Sequence, residues 1–311
     1  MTRTLDEAMR EACEAVGICV PRNTAPGVWA KSPVVGKAKS NTSGRVLLFD
    51  DGQGGIAHNW STGQQEIFKL DGESQSRLTD SERREIRERQ QERQRKQREE
   101  HEAVSRICEA IVRDCRTETH PYLERKGFPD ELALVHDDPR KHMMGTPYSD
   151  RMVYALREFE GPLLVVPGRI GKTISTVQFI TAEGAKTNIR GGKMDGASHR
   201  IATGRETWVA EGFATALTVR AALRLLGRSA TVLSAFSAAN AAKVAEAIPG
   251  SILAADHDKP VPQFDGLGTG EFYARRIGHV WSMPPALGDF NDYQESDGLR
   301  AVAVHLRRVA A

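Results

Sequence analysis

Cysteine is scarce in this chain and wrongly spaced for metal. Among its 311 residues are four cysteines, and neither Cys13 with Cys19 nor Cys108 with Cys115 makes the Cys-X2-Cys pair of a zinc ribbon. They read as reduced, partly buried thiols. Long apolar runs are also missing. No stretch approaches the roughly eighteen residues of a membrane-spanning helix, and the opening residues Met1 to Asp6 lack an apolar signal region, so a cytoplasmic protein without membrane contact is expected. Neither sign of charge dominates: 43 Lys and Arg stand against 41 Asp and Glu, a formal net charge of +2. Any basic surface must therefore be local, and the total neither supports nor excludes a nucleic-acid partner. Hydrophobic residues make up an ordinary 40%, and the length leaves room for two domain cores.

From 79 to 102 apolar side chains all but vanish. Thr79 with Glu82 reads as a capping box, and beyond it Glu and Arg recur at helical spacing with Ile86 the one apolar residue. Such a helix has no face to bury and reads as a solvated connector. The alternative is phosphate contact through Arg83, Arg84, Arg87, Arg95, Lys96 and Arg98. From Ala103 onward Val104, Ile107, Cys108, Ile111 and Val112 supply a docking stripe. A charged helical linker, 74–102, thus follows an N-terminal α+β domain, 1–73.

In the N-terminal domain Leu5, Met9, Ala12, Cys13 and Val16 recur at helix spacing, a Pro/Gly-broken stretch follows, and strand patterns at 45–49, 56–60 and 66–69 predict a three-stranded antiparallel meander. Trp29, Phe49, Trp60 and Phe68 lie near Lys31, Lys37, Lys39 and Arg45. They form either the core of a small sheet or a surface, with Trp29 and Trp60 foremost, that stacks unpaired bases of single-stranded DNA.

Beyond the linker, strand patterns at 152–156, 163–166 and 175–180 suggest a small antiparallel sheet within 103–204. Gly171, Lys172 and Thr173 are no P-loop, because Val166 stands where the first glycine is needed; Lys172 remains a usable cation. At 120–127, Arg125 and Lys126 make either a basic turn or a capped helix end packed by Tyr122 and Leu123. The stretch 186–200 combines Gly191, Gly192 and Gly196 with Lys186, Arg190, Lys193 and Arg200. It is either a basic hairpin that approaches phosphate closely or a surface hairpin with incidental lysines.

Residues 205–311 alternate as a parallel α/β sheet requires, with strands at 207–211, 230–236, 251–256 and 279–283 and helices at 213–227, 239–248 and 268–277. One strand delivers Glu211 and Gly212, another Asp256, His257 and Asp258. Carboxylates at the carboxyl ends of parallel strands suit a divalent cation, which prefers oxygen ligands.

These residues resemble the Toprim domain. Val209-Ala210-Glu211-Gly212-Phe213 matches its strand ending in Glu-Gly, and Ala254-Ala255-Asp256-His257-Asp258 its strand ending in Asp-X-Asp. Pro284-Pro285 and Gly288-Asp289-Phe290-Asn291-Asp292, with Asn59 to Gly63 and His120 to Gly127, look like segments of primases encoded by conjugative plasmids and phages. Two departures stand out: no zinc-binding domain, and Ala239 before Asn240 where the family often has glycine.

The resemblance implies a Toprim parallel-sheet domain at 205–311, preceded by a small antiparallel subdomain at 103–204. It implies metal-dependent nucleotidyl transfer that makes short RNA primers from nucleoside triphosphates on single-stranded DNA, in plasmid or phage replication or conjugation. Mg²⁺ or Mn²⁺ would be held by Glu211, Asp256 and Asp258, with Asp289 either a further ligand or the cap of the last helix. Lys172, Lys186, Arg190, Lys193, Arg200, Arg125 and Lys126 would serve template or nucleotide. No helicase segment follows, so a separate helicase or replication initiator is expected. A Toprim nuclease and a non-catalytic single-stranded DNA-binding protein are the alternatives. The five tyrosines, with no gate domain, argue against a topoisomerase.

Overall fold

The computed structural model describes residues 3–70, 79–147, 149–261 and 264–309. By packing, the chain divides into two compact units, Met1–Lys96 and Gln97–Ala311. The domain boundary expected at 73/74 lies outside the described residues.

In the first unit Thr4 and Glu7 form a reciprocal capping box that starts α1 (Leu5–Ala15). Its buried stripe of Ala8, Met9, Ala12 and Cys13 packs on an antiparallel sheet of four strands in sequence order, β1 (Trp29–Ser32), β2 (Gly44–Leu48), β3 (Gly54–Asn59) and β4 (Gln64–Lys69). Sequence patterning predicts three strands. The extra one, β1, is short and comes from the Pro/Gly-broken stretch, where Trp29 pairs with Leu47. Strand alternation sends Val46, Leu48, Ala57 and Phe68 into the core with α1. Asn59 is fully buried and donates to the Val16 carbonyl at 2.9 Å, which ties the sheet to the end of α1.

Helix α2 (Asp80–Arg113) begins at the Thr79–Glu82 capping box, where the Thr79 N–H donates to Glu82 at 2.7 Å. Its early turns carry ion pairs such as Lys96–Glu92; exposed pairs of this kind each contribute only tenths of a kcal/mol. Its late turns bury Val104, Ile107, Cys108 and Ile111. The switch in patterning near Ala103 is the switch in burial.

The second unit holds two sheets. The first is antiparallel, with β5 (Arg116–Glu118), β6 (Ala133–His136), β7 (Leu163–Ile170), β8 (Thr173–Ile180) and β9 (Lys186–Asn188) in that order. The short α3 (Pro121–Arg125) buries Tyr122 and Leu123. A strand was expected at 152–156, but α4 (Ser149–Ala155) stands there instead. Met152 and Leu156 are both buried, at 1% exposure, while Tyr154 between them is 64% exposed. A strand would put all three on one face; a helical turn joins the first and last and turns Tyr154 outward.

The second sheet runs β10 (His199–Ala202), β12 (Ala230–Ser234), β11 (Glu206–Ala210), β13 (Ile252–Ala254) and β14 (Val280–Ser282), all parallel except β10. Alternation again divides the side chains. Trp208, Val232 and Ile252 pack with α5 (Phe213–Leu225), α8 (Phe290–Asp297) and α9 (Leu299–Arg307) on one face. Val209, Leu233 and Leu253 pack with α6 (Ala238–Glu246) and α7 (Thr269–Arg276) on the other. A parallel sheet needs this double cover. The unit is a mixed α/β fold.

The stretch 186–200 is not the hairpin expected. Lys186 pairs with Ile180 in the first sheet, whereas His199 pairs with Ser234 in the second. Its two ends enter different sheets, so the segment is a crossover between them. Among the described residues no helix is long and apolar enough to cross a membrane.

Candidate functional site

β11 and β13 are hydrogen-bonded neighbours running the same way, with Ala210 opposite Ala254. Glu211 and the 256–258 segment therefore emerge side by side at the carboxyl edge of the sheet, where open α/β sheets bind ligands. A third loop joins them through His257 and Gly288, which exchange both backbone hydrogen bonds at 2.9 Å. That clasp sets Asp289 beside the other acids. Gly288 has φ 125°, and a Cβ there would meet the Asp292 carboxylate at 2.7 Å, so glycine is required. Asp289 caps α8: it accepts from the Asn291 N–H at 2.6 Å and the Asp292 N–H at 3.0 Å.

The opposite wall is the start of α7. A Cβ at Gly268 would lie 2.4 Å from the Asp258 carbonyl oxygen, and one at Gly270 2.3 Å from that of Asp256. Only glycine permits this approach, and the Gly270 N–H donates to Asp258 Oδ2 at 2.9 Å. Patterning alone did not single out these residues. The signal was a Gly-Thr-Gly run opening a helix.

Electrostatics marks the cluster as strained by charge. Glu211 is raised to about 7 by burial first, with Asp258 and Asp289 adding repulsion and Lys186 opposing it. Asp256 is raised well above the usual carboxylate range by burial, then by Glu211, Asp289 and Asp258, again against Lys186. Both residues are partly exposed, and it is the burial of their carboxyls that contributes most to each rise. Carboxylates this close lose their protons as a set. Asp256 Oδ1 is buried and has no hydrogen-bond partner, a costly state for a carboxylate oxygen. An orphaned oxygen among mutually repelling hard donors fits Mg²⁺ or Mn²⁺, so the residues present suit the cation that the sequence implies.

The seven basic residues do not gather at this cluster. Lys186 alone among them enters the field of both Glu211 and Asp256. Burial alone would lower Lys126, but its ion pair with Glu295 at 3.0 Å and the charges of Asp289 and Asp292 leave it raised. Arg125 donates to the Glu183 carbonyl at 2.9 Å. Lys172 sits at the β7–β8 turn, at the opposite end of β8 from Lys186, roughly 20 Å along the strand. Arg190, Lys193 and Arg200 are exposed along the crossover. Asn240 holds that segment in place: its side chain accepts from the Gly196 N–H at 2.7 Å and donates to the Ala197 and Ala235 carbonyls, each at 2.8 Å. Trp29 and Trp60 belong to the first unit, where both are exposed.

A second cluster was not foreseen. Asp114, His136 and His142 bring one ligand atom each within 4.8 Å of one another, close enough to hold a divalent ion. Two imidazoles suit a softer cation than Mg²⁺. Two contacts compete with any ion. His136 Nδ1 already accepts the Asp138 N–H at 3.0 Å, so a neutral ring carries its proton on Nε2, facing Asp114 at 3.3 Å. Lys141 approaches the same Asp114 oxygen at 2.5 Å. Asp114 is lowered to about 2, chiefly by hydrogen bonds from Lys141 and His142. No sequence spacing signals this group, because β6 and the turn after it must fold back to the end of α2.

The sequence matches no protein-family model. The crystal structure of the primase fragment of the bacteriophage T7 primase-helicase protein is similar to 90% of this chain and 100% of that one, at 12% identity and a TM-score of 0.39. That likeness is too slight to transfer fold detail or activity.

Proposed function

We propose that the chain is a DNA primase of the Toprim kind, making short RNA primers on single-stranded DNA by metal-dependent nucleotidyl transfer. The observation that carries the proposal is the convergence of Glu211, Asp256 and Asp258 at the carboxyl edge of a parallel sheet, with Asp256 Oδ1 buried and unpaired. The Glu-Gly and Asp-X-Asp patterns and the Gly288 to Asp292 segment support polymerisation over cleavage by their resemblance to plasmid and phage primases.

Asp256 and Asp258 would hold Mg²⁺ or Mn²⁺, with Asp289 close by. When bound, the cation lowers the pKa of an attacking hydroxyl and offsets charge on the transferred phosphate. Glu211, poised at about 7, accepts the proton of the primer 3′-hydroxyl at its carboxylate as the α-phosphate is attacked and pyrophosphate leaves. Lys186 moderates the negative charge of the acids. Arg190, Lys193 and Arg200 line the exposed crossover as contacts for template or triphosphate.

The test is to incubate the protein with single-stranded DNA, labelled nucleoside triphosphates and Mg²⁺ or Mn²⁺. Short RNA oligomers are expected, absent in Asp256→Ala and Glu211→Gln. Template shortening without synthesis would make the protein a nuclease, and binding with neither activity a binding protein.

A further inference from the structure

The four-stranded sheet of the first unit covers one face with α1, and on the other, open face Trp29 and Ile67 are exposed. Register defines that open face. Trp29, Leu47, Ile56 and Ile67 lie directly opposite one another across β1 to β4, and two residues along each strand stand Lys31, Arg45, His58 and Gln65. Successive side chains alternate between faces, so these two rows share the face opposite Val46, Ala57 and Phe68. Lys69 extends it along β4, and Glu66 falls on the helix side with Phe68. None of these strand residues on the open face is acidic.

The face is also unusually apolar for one turned to water. Trp29 is 45% exposed, Ile67 52% and Trp60, just past the end of β3, 65%. The His58 ring meets Trp60 edge-on with centroids 4.5 Å apart, which holds the indole near the sheet. Phe68, by contrast, is 3% exposed in the core. The aromatics that sequence alone leaves undecided between core and surface therefore divide between the two. Contiguous exposed apolar surface marks an interaction site.

We propose that this face docks single-stranded DNA, with bases stacking on Trp29 and Trp60 and phosphates pairing with Lys31 and Lys69. Charge complementarity selects the occupant. Among the described strand residues this face bears lysines and no acid, which favours a polyanion, and exposed indoles favour one whose bases are free to stack. A duplex matches the charge but hides its bases. The choice of DNA over RNA rests on the template of the proposed function; the face itself does not depend on the carboxylate site.

The test is fluorescence anisotropy of the full chain with a labelled oligothymidylate of about 20 nucleotides, in EDTA and low salt. Trp29→Ala and Trp60→Ala are each expected to weaken binding about tenfold, and Trp60→Phe, which keeps a ring, to restore most of it. Lys31→Ala is expected to reduce the slope of log K against log salt by about 0.7. Because both indoles are exposed, unchanged far-ultraviolet circular dichroism melting is expected and separates lost binding from lost folding. Unchanged affinity in the double tryptophan variant, equal affinity for duplex, tighter binding of oligouridylate, or tighter binding of an acidic peptide would each overturn the proposal. Asp256→Ala is expected to bind DNA normally while making no primers, so failure of the surface and failure of the active site are separable.

Discussion

The second unit contains two clusters built around acids, and they are opposites. Around Asp114 every neighbour is a donor: Lys141, His136 and His142 face it, and its carboxyl is held at about 2. Around Asp256 the neighbours are Glu211, Asp258 and Asp289, Lys186 opposes them, and both Asp256 and Glu211 are still pushed upward. In the first cluster the protein's own cations and donors offset the Asp114 charge, although the buried His136 Nε2, 3.3 Å from it, makes no hydrogen bond. In the second, mutually repelling acids leave Asp256 Oδ1 buried without a partner, the arrangement expected of the proposed cation site. Buried like charges disfavour the fold, so their presence at a ligand-ready sheet edge points to function.

The comparison breaks most visibly in activity. Asp256→Ala is expected to cut primer synthesis on the order of a hundredfold or more, whereas Asp114→Asn leaves its rate within about twofold, measured by labelled primer yield. Equal losses in the two variants would mean that the clusters do not differ as described.

The next effect is on stability. Glu211 and Asp256 are raised in the folded state, so their contribution to stability is full below the unfolded carboxylate range and is lost as pH rises, for Glu211 through about 7. Melting without metal should therefore fall between pH 5 and 8. The loss should be on the order of a few kcal/mol and be reversed by Mn²⁺. Asp256→Asn should melt higher than the parent at pH 8 in EDTA. Asp114 runs the other way: its contribution is present above the unfolded carboxylate range and fades as pH falls towards 2.

A smaller effect is expected from Gly270→Ala. Its Cβ would press on the Asp256 carbonyl, at a cost of about 1–3 kcal/mol, and the Mn²⁺-dependent rise in melting temperature should shrink with it. Smallest of all, Asn240→Ala removes hydrogen bonds from the crossover at a cost of about 1–2 kcal/mol. Primer synthesis should fall more than stability, because the basic segment loses its anchor.

Much of this contrast was visible before folding. Glu211, Asp256 and Asp258 stand where strand patterns end, and strand ends in a parallel sheet share one edge. The four parallel strands of the second sheet lie within a residue or two of their expected bounds because apolar runs alternate there with helical patterns, whereas β10 lay unseen inside the stretch read as a hairpin. The 152–156 stretch was misread because a short apolar run carries too little periodicity to separate helix from strand. Lys186 could not be placed against the acids, since its position depends on how β9 pairs with β8, and Gly268 and Gly270 matter only through contacts with Asp256 and Asp258 that lie ten or more residues back along the chain. The Asp114 group lay hidden for the same reason: its members meet through tertiary folding, and sequence spacing does not record it.

The crossover has one more consequence. All strands of the antiparallel sheet precede it and all strands of the parallel-sheet layer follow it, so 189–198 is the sole covalent link between the two sheets. A protease nick among Gly191, Gly192 and Gly196 would yield two fragments, each carrying a whole sheet. Tyr122, Leu123 and Leu164 from one fragment pack with Phe213, Ala214 and Leu217 from the other. The halves would stay together after cleavage, held by that apolar contact as a two-piece protein.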